Sequence, residues 1–357
     1  MLISGERVKQ ARELRSLTQA ALAKLVGVSQ GAIAQIESGA FLASDELLQE
    51  IAKRTGQTIR FFCQDPAPEF PVGSLLFRAH TSMRKYELTE TYRNTQLSYE
   101  VYLKLRARLN PIPVTIPKLP GVHAATAAQE ARRALKLPLH EPVPHLLNVL
   151  EWNGVIAIVV PGVKSTDAFS LWYNDAPVVS LSAQRSGDRA RMSVAHEVGH
   201  LVMHAGRSRF EVDDSEADDF AGEFLLPEAA LAAEVKSPVT LSSLATLKAR
   251  WRVSIQALIY RSKEIGAITD RQYRYLFEQM SAMGLRKKEP VEIVPEQPRA
   301  LRQMAEMLYG DPIDFRAMAH DMALDVERLR VMLSAYAPKS QGSPVQSGNV
   351  VSFARRR

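Results

Sequence analysis

Ser193-Val194-Ala195-His196-Glu197-Val198-Gly199-His200-Leu201-Val202-Met203-His204 sets two histidines four residues apart inside an apolar, helix-periodic run. On an α-helix that spacing puts His196 and His200 on one face, about one turn apart, suited to two bonds to one Zn²⁺. Glu197 adjoins the first histidine and lies off that face, so it reads as the general base for an attacking water and not as a ligand. H-E-x-x-H also arises by chance on surface helices. Here Ala195, Val198, Leu201 and Val202 make the helix apolar, and two imidazoles with a carboxylate among them need a compensating role. His204, a further turn along, reads as an ordinary cation at a helix C-terminus, with a supporting role behind the metal ligands as the alternative.

A third ligand should come from a neighbouring helix, and residues 214–227 supply one, Asp214-Ser215-Glu216-Ala217-Asp218-Asp219-Phe220-Ala221-Gly222-Glu223-Phe224-Leu225-Leu226-Pro227. Its inward face is Ala217, Phe220, Ala221, Phe224 and Leu225. At ~100° per residue, Asp214 lies about 60° from the centre of that face and Glu216 about 100°. Asp213 also points inward on this arithmetic but stands at the helix start. The geometry prefers Asp214, with Glu216 as the alternative. Upstream, Ala124–Leu135 and Pro144–Asn153 read as helices and Val155–Val160 as a buried strand. Phe169–Tyr173 and Val178–Leu181 read as two more strands around an Asn174-Asp175-Ala176-Pro177 turn.

His196–His200, the run Ala217-Asp218-Asp219-Phe220-Ala221 into Leu225-Leu226-Pro227, and the paired strands Asp167–Trp172 and Pro177–Leu181 together resemble the ImmA/IrrE family of zinc-dependent metallo-endopeptidases. The resemblance covers roughly residues 123–265. It implies a zincin-like domain with a small mixed sheet, a Zn²⁺ cofactor and cleavage of a regulatory protein. The family's third ligand is usually a glutamate three residues before that alanine, a position held here by Asp214, one methylene shorter.

Closer to the N-terminus, Leu17–Gly39 carries two short helices across a sharp turn. Thr18 and Ser29 are N-cap residues, Gly27 sits where a left-handed turn is needed, and Ala32, Ile33 and Ile36 form the inner face of the second helix. Such a helix-turn-helix lays its second helix in the major groove of double-stranded DNA. With Leu14–Thr18 before it and Leu47–Arg54 after it, the segment resembles the phage-repressor-like XRE family over about residues 5–62. The resemblance implies a phosphate contact for Gln19 and groove-facing roles for Ser29, Gln30 and Gln35. Glutamine can pair bidentately with adenine, which suits Gln30. The small, uncharged Gly31, Ala32 and Ala34 imply modest affinity per half-site, and so a homodimer.

Across 357 residues, 46% hydrophobic and 24% charged residues exclude a disordered or fibrous chain. No apolar run is long enough to span a membrane, and residues 1–20 lack a signal-peptide core. Cys63 is the single cysteine, so an intramolecular disulfide is excluded and a cytoplasmic location is expected. The net charge of +6 is compatible with nucleic acid without requiring it.

The expected fold is α+β and mostly helical. An all-α DNA-binding domain (1–65) leads through a helical linker region (66–122, with 77–109 helical) to the metallopeptidase domain (123–288). A helical module (289–337) and a disordered basic tail (338–357) complete it. Within this plan, Leu244–Ile265 reads as helix, turn, helix, with Lys248, Arg250, Arg252 and Arg261 making a basic surface. Two functions fit. One is a DNA-binding regulator that cleaves a repressor- or antitoxin-like protein. The other is a regulator or antitoxin whose peptidase-like domain senses or binds a partner without proteolysis.

Overall fold

The computed structural model describes residues 3–68, 84–160, 168–173, 175–182, 186–206 and 214–338. The chain opens with α1 (Gly5–Glu13), α2 (Gln19–Val26), α3 (Gln30–Glu37), α4 (Asp45–Thr55), α5 (Ile59–Phe62) and α6 (Lys85–Arg106). Helices α7 (Ala124–Ala134) and α8 (Leu146–Trp152) precede strands β1 (Ile156–Val160), β2 (Ala168–Tyr173) and β3 (Ala176–Ser182). Then come α9 (Gly187–Met203), α10 (Asp214–Leu225), α11 (Glu228–Glu234), α12 (Leu241–Trp251), α13 (Ile255–Glu264) and α14 (Asp270–Ala282). The last three are α15 (Ala300–Tyr309), α16 (Phe315–Met322) and α17 (Val326–Ser334). The expected mostly helical α+β class is observed. No helix among the described residues is long and apolar enough to cross a membrane.

Two compact units form, one of Met1–Pro111, Ile158–Thr166 and Pro298–Arg357, the other of Ile112–Ala157 and Asp167–Gln297. In the first, Thr18 Oγ1 accepts from the Ala21 amide and Ser29 Oγ from the Ala32 amide, each at 3.1 Å. Gly27 turns the chain between α2 and α3 at φ +74°, a conformation that costs glycine little. Leu22, Ile33 and Ile36 bury themselves with Val8, Ala11, Leu48 and Ile51 of α1 and α4. Alongside this apolar core, Arg7 forks onto both carboxylate oxygens of Glu100 on α6 at 2.8 Å. Burial would push the Glu100 carboxyl up; Arg7, aided by Lys104, outweighs it and holds the carboxyl below its ordinary value. The linker helix expected over 77–109 is present from Lys85 to Arg106, while 69–83 lie outside the described residues.

Residues 299–337, read from sequence as part of a separate module, share the first unit with the helix-turn-helix. Thr58 Oγ1 donates to the Ala323 carbonyl (3.0 Å), and Arg108 donates to the Tyr309 hydroxyl (2.7 Å). Beyond Pro338 the basic tail lies outside the described residues.

The sheet order is β1-β3-β2, and within the second unit β2 is antiparallel to β3 in the register Phe169↔Ser180 and Leu171↔Val178. β2 is therefore an edge strand. α9 packs on it, and Trp172 Nε1 donates to the Leu201 carbonyl at 2.8 Å. The inward face expected for α10 is observed, with Ala217, Phe220, Ala221, Phe224 and Leu225 all buried. α9 and α10 approach closely at Gly199, where an added Cβ would stand 3.1–3.2 Å from the side chain of Phe220. Arg132, fully buried, donates to the Phe224, Pro138 and Glu141 carbonyls, and so ties the end of α10 to α7 and the loop after it. Burial lowers its pKa to about 10. The connector 289–297 belongs to this unit too: Gly187 N donates to the Ile293 carbonyl (2.9 Å) and Leu147 N to Glu296 (3.0 Å).

The basic surface expected on α12 and α13 is not formed as a whole. Lys248 is buried between Asp188 and Glu289, and Arg261 is buried against Glu223 and Glu264. Helical spacing placed these cations correctly along each helix, but the acidic partners come from distant segments.

Candidate metal centre and nucleic-acid interface

α9 holds His196, Glu197 and His200 in the protein interior, whereas Asp214, Glu216 and Asp218 rise from the first turns of α10 with side chains more than half exposed. The Nε2 atoms of His196 and His200 stand 3.0 Å apart. Asp214 Oδ1 lies 3.3 Å from the His200 Nε2 and 3.9 Å from the His196 Nε2. Ligands about 2.0–2.1 Å from a tetrahedral ion stand about 3.3 Å from one another. These three atoms therefore fit a metal-binding triangle.

The outer partners assign the tautomers. His196 Nδ1 lies 2.6 Å from Asp218 Oδ1, an acceptor, which fixes the proton on Nδ1 and turns the Nε2 lone pair toward His200. His200 Nδ1 lies 2.8 Å from His204 Nδ1, and His204 Nε2 lies 2.9 Å from Glu216 Oε2. The chain is consistent if each imidazole donates toward the carboxylate, which leaves His200 Nε2 as a second lone pair at the triangle. Two lone pairs and a carboxylate oxygen then converge where only a cation or a proton relieves their repulsion. Hydrogen-bonded carboxylates behind metal-ligating histidines both orient the rings and raise their basicity.

Of the two readings of His204, the geometry matches the supporting one: it is a buried hydrogen-bond partner of His200 and not an ordinary helix-end cation. Glu216 contacts His204, and Asp213 lies outside the described residues. Sequence reasoning passed over Asp218, although it follows Asp214 by four residues and so shares its helix face. It also passed over Ser170 of β2, whose hydroxyl donates to Glu197 Oε2 at 2.7 Å. Nothing in the sequence pairs Ser170 with Glu197, since the contact depends on how β2 lies against α9. Glu197 itself is fully buried, with ligand-type atoms of His196, Glu197 and His200 all within 4.8 Å of one another.

In the helix-turn-helix, Ser29, Gln30 and Gln35 are exposed on or beside α3, and Gln19 is half-buried at the start of α2. These residues are not independent. Gln30 Nε2 donates to Gln19 Oε1 (3.1 Å), and Gln19 Nε2 donates to Glu37 Oε2 (2.8 Å). Glu37 in turn accepts from Arg12 Nε at 2.5 Å and from Nη2 at 3.0 Å. Burial would lower the Arg12 pKa; hydrogen bonding and charge from Glu37, with a smaller part from Glu13, raise it instead. A buried ion pair thereby fixes the amide that presents Gln30.

The peptidase-family model of the IrrE N-terminal-like domain matches residues 158–263. A helix-turn-helix family model matches residues 8–62. Comparison with curated proteins finds no match. Sequence pattern, geometry and family matches agree, and the chain joins an XRE-type helix-turn-helix DNA-binding domain to an ImmA/IrrE-type metallopeptidase-like domain.

Proposed function

We propose that this DNA-binding regulator is a zinc-dependent endopeptidase acting on a repressor- or antitoxin-like protein, brought to double-stranded DNA as a homodimer. The observation that carries this reading is the convergence of His196 Nε2, His200 Nε2 and Asp214 Oδ1, with Glu197 beside them. His196, His200 and Asp214 would hold Zn²⁺, and Glu216 is set aside as a ligand because it is engaged by His204. When bound, Zn²⁺ would supply Lewis acidity that polarises a peptide carbonyl and acidifies the attacking water. Glu197, oriented by Ser170, takes the proton of the attacking water and returns it to the leaving amine. The outer edge of β2 offers backbone groups to an extended substrate strand. The rival reading, partner binding without proteolysis, draws on the complete burial of Glu197.

Metal analysis of the purified chain tests the site. One zinc per chain is expected, with loss in His200→Ala and retention or tightening in Asp214→Glu. Unchanged stoichiometry in His200→Ala would rule the site out.

On DNA, Gln30→Ala is expected to weaken operator binding by about 1–3 kcal/mol and to spare random duplex, as a bidentate base contact requires. Equal losses on both duplexes would reduce Gln30 to a phosphate contact.

A further inference from the structure

A cleft of about 640 Å³ opens in the first unit, its wall drawn from the C-terminal end of α4, from α6 and from α17. Most polar side chains in that wall are satisfied. Thr55 Oγ1 donates to the Ile51 carbonyl (2.7 Å), and Asn94 Nδ2 donates to the Glu90 carbonyl (3.0 Å). Gln57 is different. The residue borders the cleft and is 7% exposed, yet neither its amide nitrogen nor its amide oxygen has a hydrogen-bond partner among the described residues. Buried polar groups nearly always have partners, and one that lacks them beside a cavity has bonding capacity left for an occupant.

The charges in the same wall say what kind of occupant. Burial lowers the pKa of the Arg328 guanidinium, and the nearby positive charge of Arg15 lowers it further; Asp325 and Glu90 offset this only in part. Arg15 and Arg328 both border the cleft. Arg328 is half-buried and Arg15 exposed; with Lys53 in the same wall they outnumber the acidic Asp325 and Glu327, which favours an anion, and guanidinium suits carboxylate or phosphate oxygens best. Val331 and Met332 add an apolar wall. The volume falls within the range of small-molecule sites, where a few placed polar groups orient a largely apolar ligand.

We infer that this cleft binds a small organic anion, a carboxylate or phosphate monoester with an apolar body. Its head group lies at Arg328 and Arg15, Gln57 hydrogen-bonds to it, and the body packs on Val331 and Met332. The inference is independent of the metal centre, which belongs to the other unit. It gives the C-terminal helices a chemical task beside the helix-turn-helix.

Calorimetric titration of the full chain with octanoate, phenyl phosphate and the neutral octanamide tests it. At least one of the two anions is expected to bind one saturable site per chain, tenfold or more tighter than octanamide; the preferred anion identifies the head group. Arg328→Met and Gln57→Leu should each weaken that anion at least tenfold. Val331→Trp, at an exposed position of the wall, should block it without removing a charge. Arg328→Lys keeps the cation and should bind the anion more tightly than Arg328→Met, a difference that a folding defect would not produce. The inference is overturned if neither anion saturates or if octanamide binds as tightly. It is overturned equally if Arg328→Met and Val331→Trp both keep the affinity of the parent chain.

Discussion

Glu197→Gln is expected to lower peptide cleavage by about 10²–10⁴, the usual contribution of a positioned general base, while metal content and operator binding stay at parent levels. The substitution keeps the size of the side chain and leaves an oxygen to accept from Ser170, whose hydroxyl holds the carboxylate at 2.7 Å. It removes only the capacity to take a proton. Because Glu197 is fully buried, the fold must tolerate the new amide, and a thermal melt beside the metal analysis verifies that it does. The same variant separates the two functional readings. Loss of regulatory output in cells with normal DNA occupancy would make proteolysis the function. Unchanged cleavage and unchanged output would remove peptidase chemistry from the account and leave a partner-binding regulator.

Glu37→Ala is expected to destabilise the helix-turn-helix by up to about 3–5 kcal/mol, because it leaves the buried Arg12 guanidinium with only Glu13 and the Leu17 carbonyl as partners. The side chains of Arg12 and Glu37 are 10% and 4% exposed, so water cannot replace the lost partner. Hydrogen exchange of the α1 and α3 amides in the full chain reads this loss locally, which a melt of a two-unit protein does not. Operator affinity should fall as well, since Glu37 anchors Gln19 and Gln19 anchors Gln30. The double variant Arg12→Met/Glu37→Leu should recover much of the stability but not the affinity. If Glu37→Ala exchanges like the parent chain, the ion pair is not what holds α1 to α3.

Local physics made part of this legible from sequence. Thr18, Gly27 and Ser29 act through their own neighbours in the chain, so the helix-turn-helix was readable at its caps and its turn. The i, i+4 histidines and the inward face of α10 follow from helical period alone, and the structure brings Asp214 to both imidazoles. Contacts between segments far apart in sequence were not legible. Ser170 meets Glu197 because of how β2 lies on α9. Lys248 looked like a surface cation because its partners Asp188 and Glu289 lie 60 and 41 residues away. Likewise, Arg328 gave no sign that it shares a cleft wall with Arg15.

The close approach of α10 to Gly199 works as a length gauge for the donor triangle. One helix carries both imidazoles and the other carries Asp214, so the spans between them follow the separation of the two helix axes. A methyl group at position 199 would press on Phe220 by a few tenths of an ångström. Metal–ligand bonds tolerate deviations of only about 0.2 Å. In the proposed centre, affinity for the ion would therefore depend on residues that offer it no donor atom, Gly199 and Phe220 among them.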